Sequence, residues 1–314
     1  MTVPSETTSA VSARGLTKRY GRKTVLDAVD FDIPENTICG LFGRNGAGKT
    51  TIMSILTAQN FATSGNAWIF GEEPYENRRA LSRMCFVRES QKYPDDAKPV
   101  HAFAAARMFF PNWSDDLADQ LIDDFHLPTT TRIKKLSRGQ LSAVGVIIGL
   151  ASRADVTFFD EPYLGLDAVA RQIFYDRLLA DYAEHPRTVV LSSHLIDEIS
   201  NLIERVLVID DGRIVLDEDA EDLRGRAVTV VGAESAVNEF VDGREEIHRE
   251  RLGPVASATV LGALTHTDRE RLRELNLTTS AVSMQELIVR FTQHADATGT
   301  TAEQHATAPR GAFR

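Results

Sequence analysis

The run TICGLF at 37–42 leads directly into Gly43-Arg44-Asn45-Gly46-Ala47-Gly48-Lys49-Thr50-Thr51, after which Ile52, Ile55 and Leu56 recur at helical spacing. No other segment constrains the fold as tightly. Strand, glycine loop and helix in this order match G-x-x-x-x-G-K-[ST] in the context that gives the pattern its meaning. The glycines let backbone N–H groups turn inward around phosphate oxygens, and the helix N-terminus adds favourable dipole charge. Lys49 is placed to reach the β- and γ-phosphates of a nucleotide, and the Thr50 hydroxyl to ligate Mg²⁺.

A second element completes the chemistry. DVTFFDEP at 155–162 is an apolar strand ending in two acids. Asp160 can hold a metal through water and Glu161 can polarise an attacking water, although such a pair can also serve as plain helix caps. The continuous apolar runs at 155–160 and 187–193 suit a parallel sheet covered on both faces. Farther along, LSRGQ at 136–140 reads as a helix N-terminus with polar groups at its tip, which suits an anion. One chain thus carries two phosphate-facing elements.

Around these, residues 11–32 alternate as strands, 93–150 are mostly helical and include FFPNW at 109–113, and 205–217 reads as a hairpin turning at Asp211-Gly212. The pattern changes near LRGRA at 223–227. Strands AVTVV and ASATVLGAL follow, then a helix opened by Ser283-x-x-Glu286, a capping box. Residues 1–12 and 294–314, poor in apolar side chains, are expected to be disordered tails.

The length of 314 residues fits about two domains, and the net charge of −10 argues against broad binding to nucleic acid. Cys39 and Cys85 sit in apolar runs and read as buried, reduced core residues. The N-terminus lacks the basic start and apolar core of a signal peptide. The longest apolar run, at 144–151, is far too short to span a bilayer, so work at a membrane requires docking onto another subunit.

In this order the motifs resemble those of the ATP-binding cassette (ABC) ATPases, over about residues 11–226. The resemblance implies an α/β fold: a P-loop NTPase core with an antiparallel β subdomain and a helical insertion at about 92–150. The cassette would span 13–226, with a small α+β extension at 227–293. Tyr20 looks like the residue that stacks on adenine. Ser137, Arg138, Gly139 and Gln140 match the family signature, usually LSGGQ; LGLD at 164–167 resembles the interface loop, with Asp167 as its acid; His194 matches the switch histidine that senses the γ-phosphate. In this family two cassettes pair head to tail, so the signature of one closes over ATP in the loop of the other. The two phosphate-facing elements would then serve different ATP molecules.

Three departures stand out. Arg138 replaces the first signature glycine, either as a tolerated surface residue or as an extra cation near the γ-phosphate. Leu164 stands where the interface loop usually has serine. Glu89 occupies the place of the metal-binding glutamine, where a carboxylate could still bind Mg²⁺; Gln91 is the alternative. The resemblance implies an ATPase using ATP and Mg²⁺ and working with a second ABC subunit and separate transmembrane permease subunits. It would sit at the cytoplasmic face of the cell membrane, with no nucleic acid as partner. Likeness to bacterial exporters points to export, with FFPNW either docking the permease or filling the insertion's own core. The rival reading is a soluble ABC-type ATPase acting on ribosomes or nucleic acid.

Overall fold

Order begins earlier than the expected tail allows. In the computed structural model, which describes residues 9–89 and 91–289, a strand starts at Ser9, and Ala10 and Val11 are fully buried. Burial of these two side chains against the sheet, with the ladder hydrogen bonds around them, offsets the entropy of ordering residues 9–12. The expected tails at 1–8 and 294–314 lie outside the described residues.

The chain opens with β1 (Ser9–Tyr20), β2 (Lys23–Pro34) and β3 (Ile38–Phe42), followed by α1 (Lys49–Leu56), β4 (Ser64–Ile69), a short α2 (Arg78–Leu81) and β5 (Met84–Arg88). Next come α3 (Pro99–Phe109), α4 (Asp115–Asp124), a short 3-10 turn (Ile133–Lys135) and α5 (Arg138–Ala151), in the segment read as a helical insertion. Then β6 (Val156–Asp160), α6 (Ala168–Glu184), β7 (Thr188–Ser192), a short α7 (Ile196–Ile199), β8 (Arg205–Asp210) and β9 (Arg213–Asp219) follow.

Two sheets result. One is antiparallel, in the order β2-β1-β4; the other is six-stranded, β5-β6-β7-β3-β8-β9, with β5, β6, β7, β3 and β8 parallel. Every residue of β3, β6 and β7 is buried, as continuous apolar runs require of strands covered on both faces. Cys39 and Cys85 are buried in this sheet, and burial pushes the Cys85 thiol up to about 12. Between β8 and β9 the chain turns at Asp211 and Gly212, both at positive φ, as a two-residue hairpin loop of this kind requires.

The chain divides into two compact units. The first runs to His194 and takes in Leu202–Ile214; the second takes in Leu195–Asn201 and continues from Val215. The second unit holds α8 (Ala220–Leu223), β10 (Ala227–Ala233), α9 (Glu234–Val241), β11 (Glu246–Leu252), β12 (Val255–Leu261), α10 (His266–Glu274) and β13 (Thr278–Ala281). Its antiparallel order β11-β12-β10-β13 is the β-α-β-β-α-β arrangement of ferredoxin-like domains. Val228, Val230, Ala258 and Val260 pack with Val237 and Phe240 of α9 and Leu272 of α10. A last helix at 284–289 begins where the capping box placed it, with Glu286 N–H donating to Ser283 Oγ at 3.1 Å.

Candidate functional site

Gly43 leaves β3 with φ +149°, and a Cβ there would sit 2.1 Å from the Ile209 carbonyl on β8. Gly48, at φ +121°, is the N-cap of α1, and its Cβ would meet Leu26 at 2.7 Å. Only glycine combines these backbone angles with so close an approach. The loop between them delivers Lys49 as the first residue of α1, anchored behind by Ile52, Met53, Ile55 and Leu56. Lys49 is buried, which pushes its ammonium pKa down, while Glu161 and Asp160 push it back up. Its Nζ donates to the carbonyls of Gly43 at 2.7 Å and Arg44 at 3.3 Å.

At the C-terminal end of β6 the two carboxylates have different surroundings. Asp160 is gripped on both oxygens: Thr50 Oγ1 donates to Oδ2 and Ser192 Oγ to Oδ1, each at 2.7 Å. Ser192 also accepts from the Glu161 backbone N–H at 2.9 Å. Glu161 itself has φ +51°, an uncommon conformation for a residue with a Cβ, and one that clusters at functional sites. Its Oε2 accepts from the Tyr163 hydroxyl and lies 2.8 Å from His194 Nδ1. A carboxylate only accepts, so Nδ1 carries the hydrogen.

The structure gathers Asn45, Gly46, Gly48, Lys49, Thr50, Thr51, Glu89, Arg138, Asp160, Glu161, Leu164 and His194 around one cavity of about 620 Å³, a ligand-sized space. Arg44 is exposed in the loop, beside the buried Ala47. Of the two candidates after β5, Glu89 lines this cavity; its backbone N–H donates to the Asp160 carbonyl at 3.1 Å, extending the ladder beside the acids. Arg138 forms an ion pair with Glu89, so two departures from the family pattern meet one another.

The signature end is held by local caps and by neighbours. Ser137 caps α5, accepting from Gln140 N–H at 3.2 Å, and the Gln140 side chain accepts from Ser137 N–H at 3.0 Å. A Cβ on Gly139 would lie 2.7 Å from the Gly165 carbonyl, and Ser142 Oγ donates to the Leu164 carbonyl at 2.6 Å. The LGLD loop therefore packs on the signature of its own chain. Asp167 caps α6, accepting from Ala170 N–H at 2.9 Å. Tyr20 is half exposed, with Lys18 Nζ 4.8 Å from its ring centre. FFPNW divides: Trp113 packs against Phe103, whereas Phe109 is 75% exposed beside Met108 at 86%.

Ser192 and Tyr163 are site residues that the sequence motifs did not point to. Ser192 belongs to the SSH run, and only the adjacency of β6 and β7 sets it against Asp160. Tyr163 directly follows the acid-acid-proline run, so its position in the chain was a usable signal.

The sequence pattern of the ABC transporter family matches residues 26–164. A doxorubicin resistance ATP-binding protein, DrrA, of Mycobacterium tuberculosis is 30% identical over 226 residues, 69% of this chain and 68% of that protein. The ABC transporter ATP-binding protein YtrB of Bacillus subtilis is 24% identical over 220 residues, 70% of this chain and 75% of that one. A solved structure, the dimeric post-hydrolysis state of the ATP-binding cassette MJ0796 bound to ADP and Pi, aligns with a TM-score of 0.60 at 19% identity. It covers 67% of this chain and 98% of that one.

Proposed function

This chain belongs to the ABC transporter family as an ATP-binding, ATP-hydrolysing subunit, and we propose that it pairs with a second cassette to drive export through a separate membrane-spanning permease. The carrying observation is that Lys49, Thr50, Asp160 and Glu161 face one cavity from the loop and the end of β6. No described helix is long and apolar enough to cross a membrane, which fits a subunit that docks onto a permease. Met108 and Phe109 on α3 offer an exposed apolar contact for that docking. Relatives named for doxorubicin resistance and transport favour this reading over a ribosome or nucleic-acid ATPase.

In this reading Lys49 leaves the carbonyls of Gly43 and Arg44 for the β- and γ-phosphates. Thr50 and Asp160, already joined oxygen to oxygen, fit Mg²⁺, a hard cation that takes few protein oxygens when it arrives on phosphates. The metal would neutralise charge on the transferred phosphoryl group. Glu161 acts as general base toward the attacking water, His194 contacts the γ-phosphate, Tyr20 stacks on adenine, and Ser137 and Gly139 close over the nucleotide of the partner cassette. Glu161→Gln keeps size and hydrogen bonding but removes the charge. It is expected to lower turnover by roughly a hundredfold or more, the scale of a lost general base, while ATP stays bound. Hydrolysis near the wild-type rate would reject the assignment.

A further inference from the structure

One buried side chain at the site has no role in the reading above. Tyr163 is 3% exposed, yet its hydroxyl lies at the meeting point of the two residues assigned to hydrolysis. It donates to Glu161 Oε2 and accepts from the His194 backbone N–H at 2.8 Å and from Ser193 Oγ at 3.2 Å. His194 Nδ1 lies 2.9 Å from the same oxygen, and the two rings pack edge to face with centres 5.4 Å apart. Burial and the neighbouring carboxylate raise the phenol pKa, so the hydroxyl keeps its proton and remains a donor.

This geometry does two things to Glu161. Both donors converge on Oε2, Oε1 has no hydrogen-bond partner among the described residues, and Glu161 lines the cavity. The Glu161 backbone stands at φ +51°, a conformation that persists only where the surrounding structure holds it. A hydroxyl bound both to the carboxylate and to the His194 backbone supplies that hold and couples the two residues as one rigid unit.

We propose that Tyr163 is a positioning residue for hydrolysis: its hydroxyl fixes Glu161 and His194 relative to each other and leaves one Glu161 oxygen to the attacking water. The proposal rests on the reading of Glu161 as general base. It predicts that the hydroxyl matters to the chemical step and little to nucleotide binding, because Tyr163 does not line the cavity.

The test is single-turnover ATP hydrolysis by the full chain, with ATP affinity and Tm measured on the same samples. Tyr163→Phe removes one oxygen and keeps the ring. Its rate is expected to fall about tenfold to a hundredfold, the scale of a small misplacement of a reacting group, with ATP affinity changed less than about twofold. In a Glu161→Gln background the same change is expected to add less than about twofold. A second arm replaces Tyr163 with 3-fluorotyrosine and then 3,5-difluorotyrosine, which keep the ring and hydroxyl in place. A more acidic phenol donates more strongly to Glu161 and weakens it as a base, so the rate should fall stepwise while Tm holds. This arm stands even if the phenylalanine variant does not fold. A rate flat across the fluorinated series, or a phenylalanine variant within twofold of wild type, overturns the proposal. So does a rate loss matched by an equal loss of ATP affinity. Glu161→Gln run in parallel separates the failures: if it hydrolyses normally the base assignment is wrong, and if it is silent while Tyr163→Phe is normal, only the role of Tyr163 falls.

Discussion

The two phosphate-facing elements differ in what holds the side chain at their tip. In the loop at 43–51, Lys49 is satisfied by carbonyls five and six residues back, and strand and helix on either side come from the same short stretch, while Thr50 reaches across to Asp160. The signature at 137–140 has a local cap, but its other neighbours come from afar. Arg138 reaches Glu89, 49 positions away, and Gly139 lies under the Gly165 carbonyl. In the first element the phosphate-facing lysine is held by the loop's own backbone. The second depends on how β5, α5 and the loop after β6 are assembled, so its geometry can respond to what the rest of the cassette does.

The largest effect is expected at the loop. Lys49→Ala removes the charge aimed at the β- and γ-phosphates, and hydrolysis is expected to fall by more than about a hundredfold. Ser137→Ala should be nearly silent as well. With a second copy of this chain as partner, mixing the two variants before adding ATP leaves one site of each mixed dimer carrying both lesions and the other none. A single-turnover burst from at most half the sites is the expected outcome. Its absence, with mixed dimers verified, would place both elements on one ATP and erase the distinction.

A smaller effect is expected where the signature meets its neighbour. Gly139→Ala pushes a methyl group to within 2.7 Å of the Gly165 carbonyl, a backbone atom that cannot swing aside. Such overpacking costs about 1–3 kcal/mol, so Tm should fall and ATP-driven pairing weaken. ADP binding to the separate subunit should be unchanged, since the loop at 43–51 does not touch this contact. Equal damage to ADP binding would show that the two elements are not independent.

The smallest effect belongs to the Arg138–Glu89 pair. Their side chains are 67% and 42% exposed, so water and salt screen the interaction, and a double-mutant cycle in stability should give about 0–1 kcal/mol. The sharper readout is pairing: Arg138→Gly should alter the ATP concentration needed for dimerisation if Arg138 leaves Glu89 for the partner's γ-phosphate. An unchanged dependence assigns Arg138 to its own chain's surface.

Short-range patterns account for everything that was legible along the chain. Residues 37–56 declare strand, loop and helix because glycines, an anchoring lysine and a 3.6-residue period act within one stretch. The buried parallel strands at 156–160 and 188–192 and the turn at Asp211-Gly212 were legible for the same reason. Strands β11 and β13 were not: EIHRERL is mostly charged and TTSA is exposed along its length, and both are strands only because β12 and β10 lie beside them. Only the assembled sheet puts Glu89 rather than Gln91 on the cavity, sets Ser192 against Asp160 across adjacent strands, and stands the Tyr163 hydroxyl between Glu161 and His194. A hydrogen bond between residues some thirty positions apart leaves no periodicity in the chain. It exists only once the sheet has brought its ends together.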